Sequence, residues 1–227
     1  TLFITICSFQ LAAHDKIINI CDRGKIGDLI AKTKLHTTCD KVSTKKLSKI
    51  KMLFFFNENI DSLPENSFRG LKSLKDIILA ANNMSEIPEA VFHDLPSLES
   101  INLQNNKITS FKENTFSGLV KLIELDLNQN FITHIPSYIF KDLSSLDILS
   151  IWKNRITKIS KHAFTGLVSL KTLWLHDNKI WRFPSNVFSE LKSLEYLKVG
   201  GNNMRRLSKK RLGLNDEAKV IWYTPGF

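Results

Sequence analysis

The sequence predicts an α/β solenoid: a curved, right-handed coil of stacked repeats, with a concave parallel β-sheet and a convex side of loops and short helices. Three observations predict it. Asn82, Asn106, Asn130, Asn154, Asn178 and Asn202 recur every 24 residues. Phe68, Phe92, Phe116, Phe140, Phe164 and Phe188 keep the same step, as do Leu71, Leu95, Leu119, Leu143, Leu167 and Leu191. Stacked units need the same residue type at every turn, whereas a globular domain has no reason to place one at a fixed interval.

One unit, Leu122, Leu125, Leu127, Asn130, Ile132, Ile135, Pro136, Phe140 and Leu143, shows what each position does. Alternation at Leu125 and Leu127 is the period of a short strand with one face buried. The asparagine amide can satisfy backbone groups left free where the chain turns out of the strand, and repetition would make these amides a ladder. Ile132, Ile135, Phe140 and Leu143 return along the other side and fill a core that no single unit closes. Pro64, Pro88, Pro136 and Pro184 favour extended or turn backbone over a long helix.

This pattern resembles the leucine-rich repeat family, in particular its extracellular 24-residue subtype found in Toll-type receptor ectodomains, Slit-like guidance proteins, matrix proteoglycans and secreted insect immune proteins. The resemblance covers residues 50–212, about seven repeats, with a weaker first one in which Leu53 and Phe55 hold the strand positions and Glu58 replaces the asparagine. It implies a secreted or cell-surface setting, since cytosolic members usually run at other repeat lengths and lack the phenylalanine.

Taken in chain order, residues 1–13 (TLFITICSFQLAA) are an uncharged apolar run ending in small residues, which reads as a signal peptide lacking its methionine and basic n-region. The alternative is a buried first strand or helix. The run is too short to span a bilayer, and no membrane span is expected elsewhere. Cleavage would remove Cys7 and leave Cys21 and Cys39 as an even pair within residues 14–49, read as an N-terminal cap. A disulfide there would hold together a cap too small to be stable alone, contributing on the order of 3 kcal/mol. Free thiols are the other reading, disfavoured in an oxidising compartment. Related extracellular proteins usually carry four cysteines in this cap, so the chain departs from their pattern. Residues 213–227 contain no cysteine and either fold over the last repeat or are truncated.

The net charge of +10 is concentrated at two places. Lys41, Lys45, Lys46, Lys49 and Lys51 precede the repeats, and Arg205, Arg206, Lys209, Lys210 and Arg211 follow them. Such clusters favour acidic glycans, microbial envelope surfaces or acidic proteins through salt-sensitive attraction, with a solvated solubility surface as the plainer reading. Nucleic acid is set aside because an exported chain does not meet it. No phosphate-cradling, nucleophile-elbow or metal-ligand motif is present, so neither an enzyme nor a cofactor is expected. Five of the six histidines fall in loops, the cap or the signal boundary and are expected to be exposed.

In this scaffold recognition falls to the outward-facing strand positions, which stand beside their equivalents 24 residues away at a strand spacing of ~4.8 Å. The columns read Asn128, Trp152, His176, Gly200; Asp126, Ser150, Trp174, Lys198; and Glu124, Ile148, Thr172, Tyr196. They bring Trp152, Trp174, His176 and Tyr196 beside Glu124 and Asp126, which is the predicted ligand patch, with His176 able to make binding pH-sensitive. Met52, Phe54, Phe56 and Ile78 are outward by the same count, but adjoin the cap and read as a strand covered on both faces. Asn83, in Asn83-Met84-Ser85, is a glycosylation acceptor that would shield the upper concave rim. The sequence thus describes a secreted recognition protein binding a protein or glycan ligand on its concave face. An extracellular enzyme inhibitor, a matrix protein or part of a receptor ectodomain are the alternatives.

Overall fold

The computed structural model describes residues 16–222. The leader reading of residues 1–13, with Cys7, lies outside them.

The first described strands, β1 (Ile17–Ile18) and β2 (Val42–Ser43), pair antiparallel. Between them run a 3-10 turn at Cys21–Arg23 and α1 (Gly24–Leu29), which continues as a π-helical turn at Ile30–Leu35. Cys21 and Cys39 are disulfide-bonded, tying the start of this helical segment to the chain that returns from it. Ile20, Ile26, Ile30, Val42 and Leu47, the last from α2 (Thr44–Leu47), are buried in the same core as the first repeat. The segment therefore closes the end of the coil and leaves the face of the sheet open. Met52 and Phe54 of β3 (Met52–Phe54) are 45% and 57% exposed and Phe56 is 53% exposed, so they do point outward but are not covered as expected.

Each further repeat adds one parallel strand in register: β4 (Asp76–Ile78), β5 (Ser100–Asn102), β6 (Glu124–Asp126), β8 (Ile148–Ser150), β10 (Thr172–Trp174) and β11 (Tyr196–Lys198). Leu53, Ile77, Ile101, Leu125, Leu149, Leu173 and Leu197 point inward from these strands and are 0% exposed. An eighth strand, β12 (Lys219–Ile221), completes the sheet, with Val220 opposite Leu197. That last step is 23 residues rather than 24, so no repeat signal marks it.

Leaving each strand, the chain passes through a left-handed residue: Asn57, Ala81, Asn105, Gln129, Lys153, Asp177 and Gly201, with φ between 50° and 67°. The turn this makes is held by the asparagine ladder. Asn130 Nδ2 donates to the carbonyls of Leu103, Leu127 and Asn128 at 3.0, 3.2 and 3.1 Å, and its Oδ1 accepts from Ile108 N at 3.0 Å. Asn82 reaches back to the first repeat, where it accepts from Glu58 N and Ile60 N, so the missing asparagine at position 58 leaves no gap.

The return path is turns and loops apart from one short ladder, in which β7 (His134–Ile135) pairs in parallel with β9 (Lys158–Ile159). Ser160 permits it, because its N–H donates to Ile135 O at 3.0 Å, whereas the equivalent Pro184 has no N–H to extend the ladder. The six spine phenylalanines are at most 1% exposed. Phe68, Phe92, Phe116 and Phe140 stack with centroids 5.7, 6.5 and 5.9 Å apart. Outside this spine a step of two repeats is visible. Gly118 alternates with Asp142, whose carboxylate accepts from Ser117 Oγ and Gly118 N at 2.9 Å each.

Candidate functional site

The open face of the sheet has three zones. At the N-terminal end Met52, Phe54 and Phe56 form an exposed apolar patch, with the Phe54 and Phe56 rings stacked at 6.3 Å. Ser100, Asn102, Gln104 and the carboxylates Asp76, Glu124 and Asp126 occupy the middle. Trp152, Trp174, His176 and Tyr196 lie towards the C-terminal end, in the register expected from the strands.

Within the aromatic zone the four rings are not equivalent. Trp174 and Tyr196 are 39% and 40% exposed, and Lys219 from β12 stands 5.2 Å from the Tyr196 ring centroid. Trp152 lies flat on His176, with centroids 5.0 Å apart, and Lys153 Nζ is 5.1 Å from the indole centroid. His176 is consequently only 7% exposed, not the open residue its outward position suggests. Burial first, then the charges of Lys198 and Lys153, lower its pKa to about 4 against a partial counter-effect from Asp177. Its imidazole is neutral at physiological pH, so it does not supply the pH-sensitive charge near 6.5 expected from sequence. The physical reason is packing between neighbouring strands, which brings a large ring down on the histidine.

The two carboxylates differ in the same way. Glu124 is exposed. Asp126 is half-buried, and its carboxylate accepts the Asn128 N–H at 2.9 Å, as Asn102 Oδ1 accepts Gln104 N one repeat earlier. Burial holds the Asp126 carboxyl above the usual range, the Asn128 N–H draws it back, and the Glu124 charge raises it further. Asp126 is thus partly engaged in the strand-exit turn, leaving Glu124 as the freer acceptor. Lys75 with Glu99 (2.5 Å) and Lys171 with Asp147 (2.6 Å) form ion pairs along the edge just before the first outward column.

The C-terminal basic residues do not share one face. Arg205 and Arg206 are exposed in the irregular chain that follows the bends at 201–204, while Lys209, Lys210 and Arg211 belong to α3 (Lys209–Leu212). Lys209 Nζ donates to Asp216 O at 2.6 Å, and Arg211 turns to a groove with Trp181 and Arg182. Asn83 is half-buried and shares a register column with Phe131, Arg155 and Lys179 on the rim, where the Arg155 guanidinium lies 4.0 Å from the Phe131 centroid. Two histidines expected to be exposed are half-buried. His134 sits in β7 with Nε2 2.9 Å from Ser160 Oγ, and His162 stacks on Tyr138 at 5.3 Å. Among the described residues no group of three or more His, Cys, Asp or Glu could hold a metal ion, and no helix is long and apolar enough to cross a membrane.

The sequence profile described as leucine rich repeat matches residues 72–132 and 121–180. Solved structures with the same architecture include Drosophila Toll in its complex with Spatzle, 22% identical over 76% of this chain at a TM-score of 0.65. Another is a leucine-rich repeat protein of Leptospira interrogans, 24% identical over 80% of this chain at a TM-score of 0.68. The chain belongs to the leucine-rich repeat family. It spans 28% of the Toll chain and 44% of the Leptospira chain. No curated protein sequence matches it.

Proposed function

We propose that this chain is a secreted recognition module that binds a protein partner across the open face of its sheet. The observation that carries this reading is the pair Trp174 and Tyr196, large aromatic side chains 39% and 40% exposed on a rigid sheet with no packing duty of their own. Contiguous exposed apolar area on a folded protein marks an interaction surface, and aromatic anchors on such surfaces supply most of the binding energy. Glu124, in the same outward column as Tyr196 but three strands away, favours a partner that also presents a cation or a hydrogen-bond donor. The exposed Met52, Phe54 and Phe56 favour a footprint that also reaches the N-terminal end.

Toll is described in complex with Spatzle, which supports a protein as the class of ligand for this scaffold. Export is supported by the apolar leader and by the Cys21–Cys39 disulfide, which an oxidising compartment maintains. Innate immunity, adhesion or guidance are the settings this reading places it in, and glycosylation at Asn83 would bias binding away from the Phe131 and Arg155 rim. The test is affinity capture from extracellular fluid with the immobilised protein, followed by titration of the captured partner against the Trp174→Ala/Tyr196→Ala variant. Undiminished binding to that folded variant would remove the sheet face as the site.

A further inference from the structure

Away from the sheet, the return side of the last repeats contains a groove of about 640 Å³. Thr157, Lys158, Trp181, Arg182, Ser185 and Arg211 line it, above a floor of Ile159, Phe183 and Pro184. It exists because the stacking of the return path is interrupted there. Thr109 N, Thr133 N and Thr157 N each donate to the residue one repeat earlier, at 3.3, 3.2 and 3.0 Å, but among the described residues no such bond reaches Trp181. Pro184 then removes the donor that Ser160 supplies one repeat before. β9 thus pairs with β7 alone, and its other edge has no ladder partner among the described residues.

Trp181 is the most exposed tryptophan described, at 57%, with the Arg182 guanidinium over one side of its ring, 4.6 Å from the centroid. Lys158, Arg182 and Arg211 are exposed, and none forms an ion pair among the described residues. Three cations without a carboxylate partner gather around an indole of which Arg182 takes one side, while Thr157 and Ser185 add hydroxyls at the walls. We infer that this groove is a binding site for an acidic saccharide, a pyranose carrying sulfate or carboxylate groups. The face of a pyranose presented by its axial C–H bonds is apolar and weakly positive, which suits the negative face of an indole. Sulfates or carboxylates on its edges meet Lys158, Arg182 and Arg211 in charge-assisted contacts. The hydroxyls match the ring hydroxyls that an acidic peptide lacks. The site uses none of the sheet-face residues, so it stands or falls separately from the protein-binding reading.

The experiment is calorimetric titration of the full chain with a sulfated heparin-derived oligosaccharide, its desulfated counterpart and a single-stranded oligodeoxynucleotide of equal charge. Trp181→Ala changes no charge and is expected to weaken the sulfated saccharide about tenfold, a loss of the size a single aromatic anchor gives. Trp181→Phe should retain most of the affinity. Lys158→Gln/Arg182→Gln should weaken it more than Lys209→Gln/Lys210→Gln, which removes the same charge elsewhere, and desulfation, which leaves only the uronate carboxylates, should weaken binding without abolishing its dependence on Trp181. Unchanged affinity in Trp181→Ala, or equal loss in the two double variants, would reduce the interaction to diffuse charge and overturn the site. Oligonucleotide binding of equal strength and equal Trp181 dependence would overturn it in favour of nucleic acid.

Discussion

Trp152 and His176 stack face to face just past the ends of adjacent strands, with ring planes 10° apart, and this contact contributes to the burial that, with the charges of Lys198 and Lys153, keeps the histidine neutral. The folded-state pKa of about 4 lies below the unfolded value of about 6.5. Between those limits the unfolded chain takes up a proton that the folded one refuses, so stability falls as pH drops through this window and levels off below it. The contribution is at most roughly 3 kcal/mol. Thermal unfolding of His176→Gln is expected to vary less between pH 7 and 4.5 than that of the parent. Parallel curves would show that His176 is open to solvent. Trp152→Ala should move the histidine pKa, read by NMR titration, back towards 6.5.

Asn130 ties two neighbouring repeats together through both ends of its amide. Its Nδ2 shares each of three carbonyls with a second donor, Asn106 Nδ2 at Leu103 O, Asn154 Nδ2 at Leu127 O and Asn105 N at Asn128 O, whereas its Oδ1 accepts from Ile108 N, which has no other acceptor among the described residues. Asn130→Ala leaves the Ile108 N–H buried without an acceptor and each of the three carbonyls with one donor fewer, with an expected cost of about 1–3 kcal/mol in denaturant unfolding. Asn130→Asp keeps the shape but directs a carboxylate at three carbonyl oxygens and should be no better. A loss below about 1 kcal/mol in both would mean that water replaces the ladder.

Phe140 and Trp174 contrast the core with the face. Phe140 is 0% exposed between two neighbouring phenylalanine-bearing repeats, and Phe140→Ala is expected to cost about 3–5 kcal/mol. Trp174 is 39% exposed, and Trp174→Ala should leave the unfolding midpoint nearly unchanged. Equal losses would contradict the strand register.

These contrasts show how far the sequence could be read. Leu125 and Phe140 have the same duty in every repeat, so their spacing announces both the fold and the side on which each lies. The burial of His176 is not legible in this way, because it depends on the size and tilt of Trp152, a neighbour 24 residues away, rather than on its own position in the period. The exposure of Phe54 is not legible for a different reason: only the placement of Leu47 and Val42 over the coil end, and not over the sheet, decides that it stays open. The groove at Trp181 leaves no periodic signal because it arises from a departure from the repeat, Ser160 followed by Pro184, and periodicity reports only what recurs. Strand β12 was invisible for the same reason, since its 23-residue step falls outside the register.

The Cys21–Cys39 bond closes a loop with a sequence separation of 18 residues around the helical part of the N-terminal segment. Such a constraint contributes on the order of 3 kcal/mol by limiting the unfolded chain. The paired variant Cys21→Ser/Cys39→Ser should lower stability by that amount. It should also expose the apolar end formed by Leu53 and Phe55 enough to increase dye binding or protease cleavage near residue 50. Alkylation of both thiols in unreduced secreted protein would show the bond to be absent.

The aromatic and acidic zones together set the expected binding behaviour. Trp174 and Tyr196 offer exposed rings on a sheet whose backbone is fixed by neighbouring strands, so little ordering entropy is lost when a partner covers them. Trp174→Ala/Tyr196→Ala is therefore expected to cost at least ~2 kcal/mol of affinity for the partner, mainly as faster dissociation. Glu124→Gln should act differently: an exposed rim charge changes association and its salt dependence more than the lifetime of the complex. Phe54→Ala/Phe56→Ala distinguishes a narrow footprint from a long one. A loss comparable to that of the tryptophan–tyrosine pair means that the partner spans from the first repeat to the seventh. No effect there, with a full effect at Trp174 and Tyr196, confines it to the C-terminal half, while the reverse pattern would move the site to the N-terminal phenylalanines.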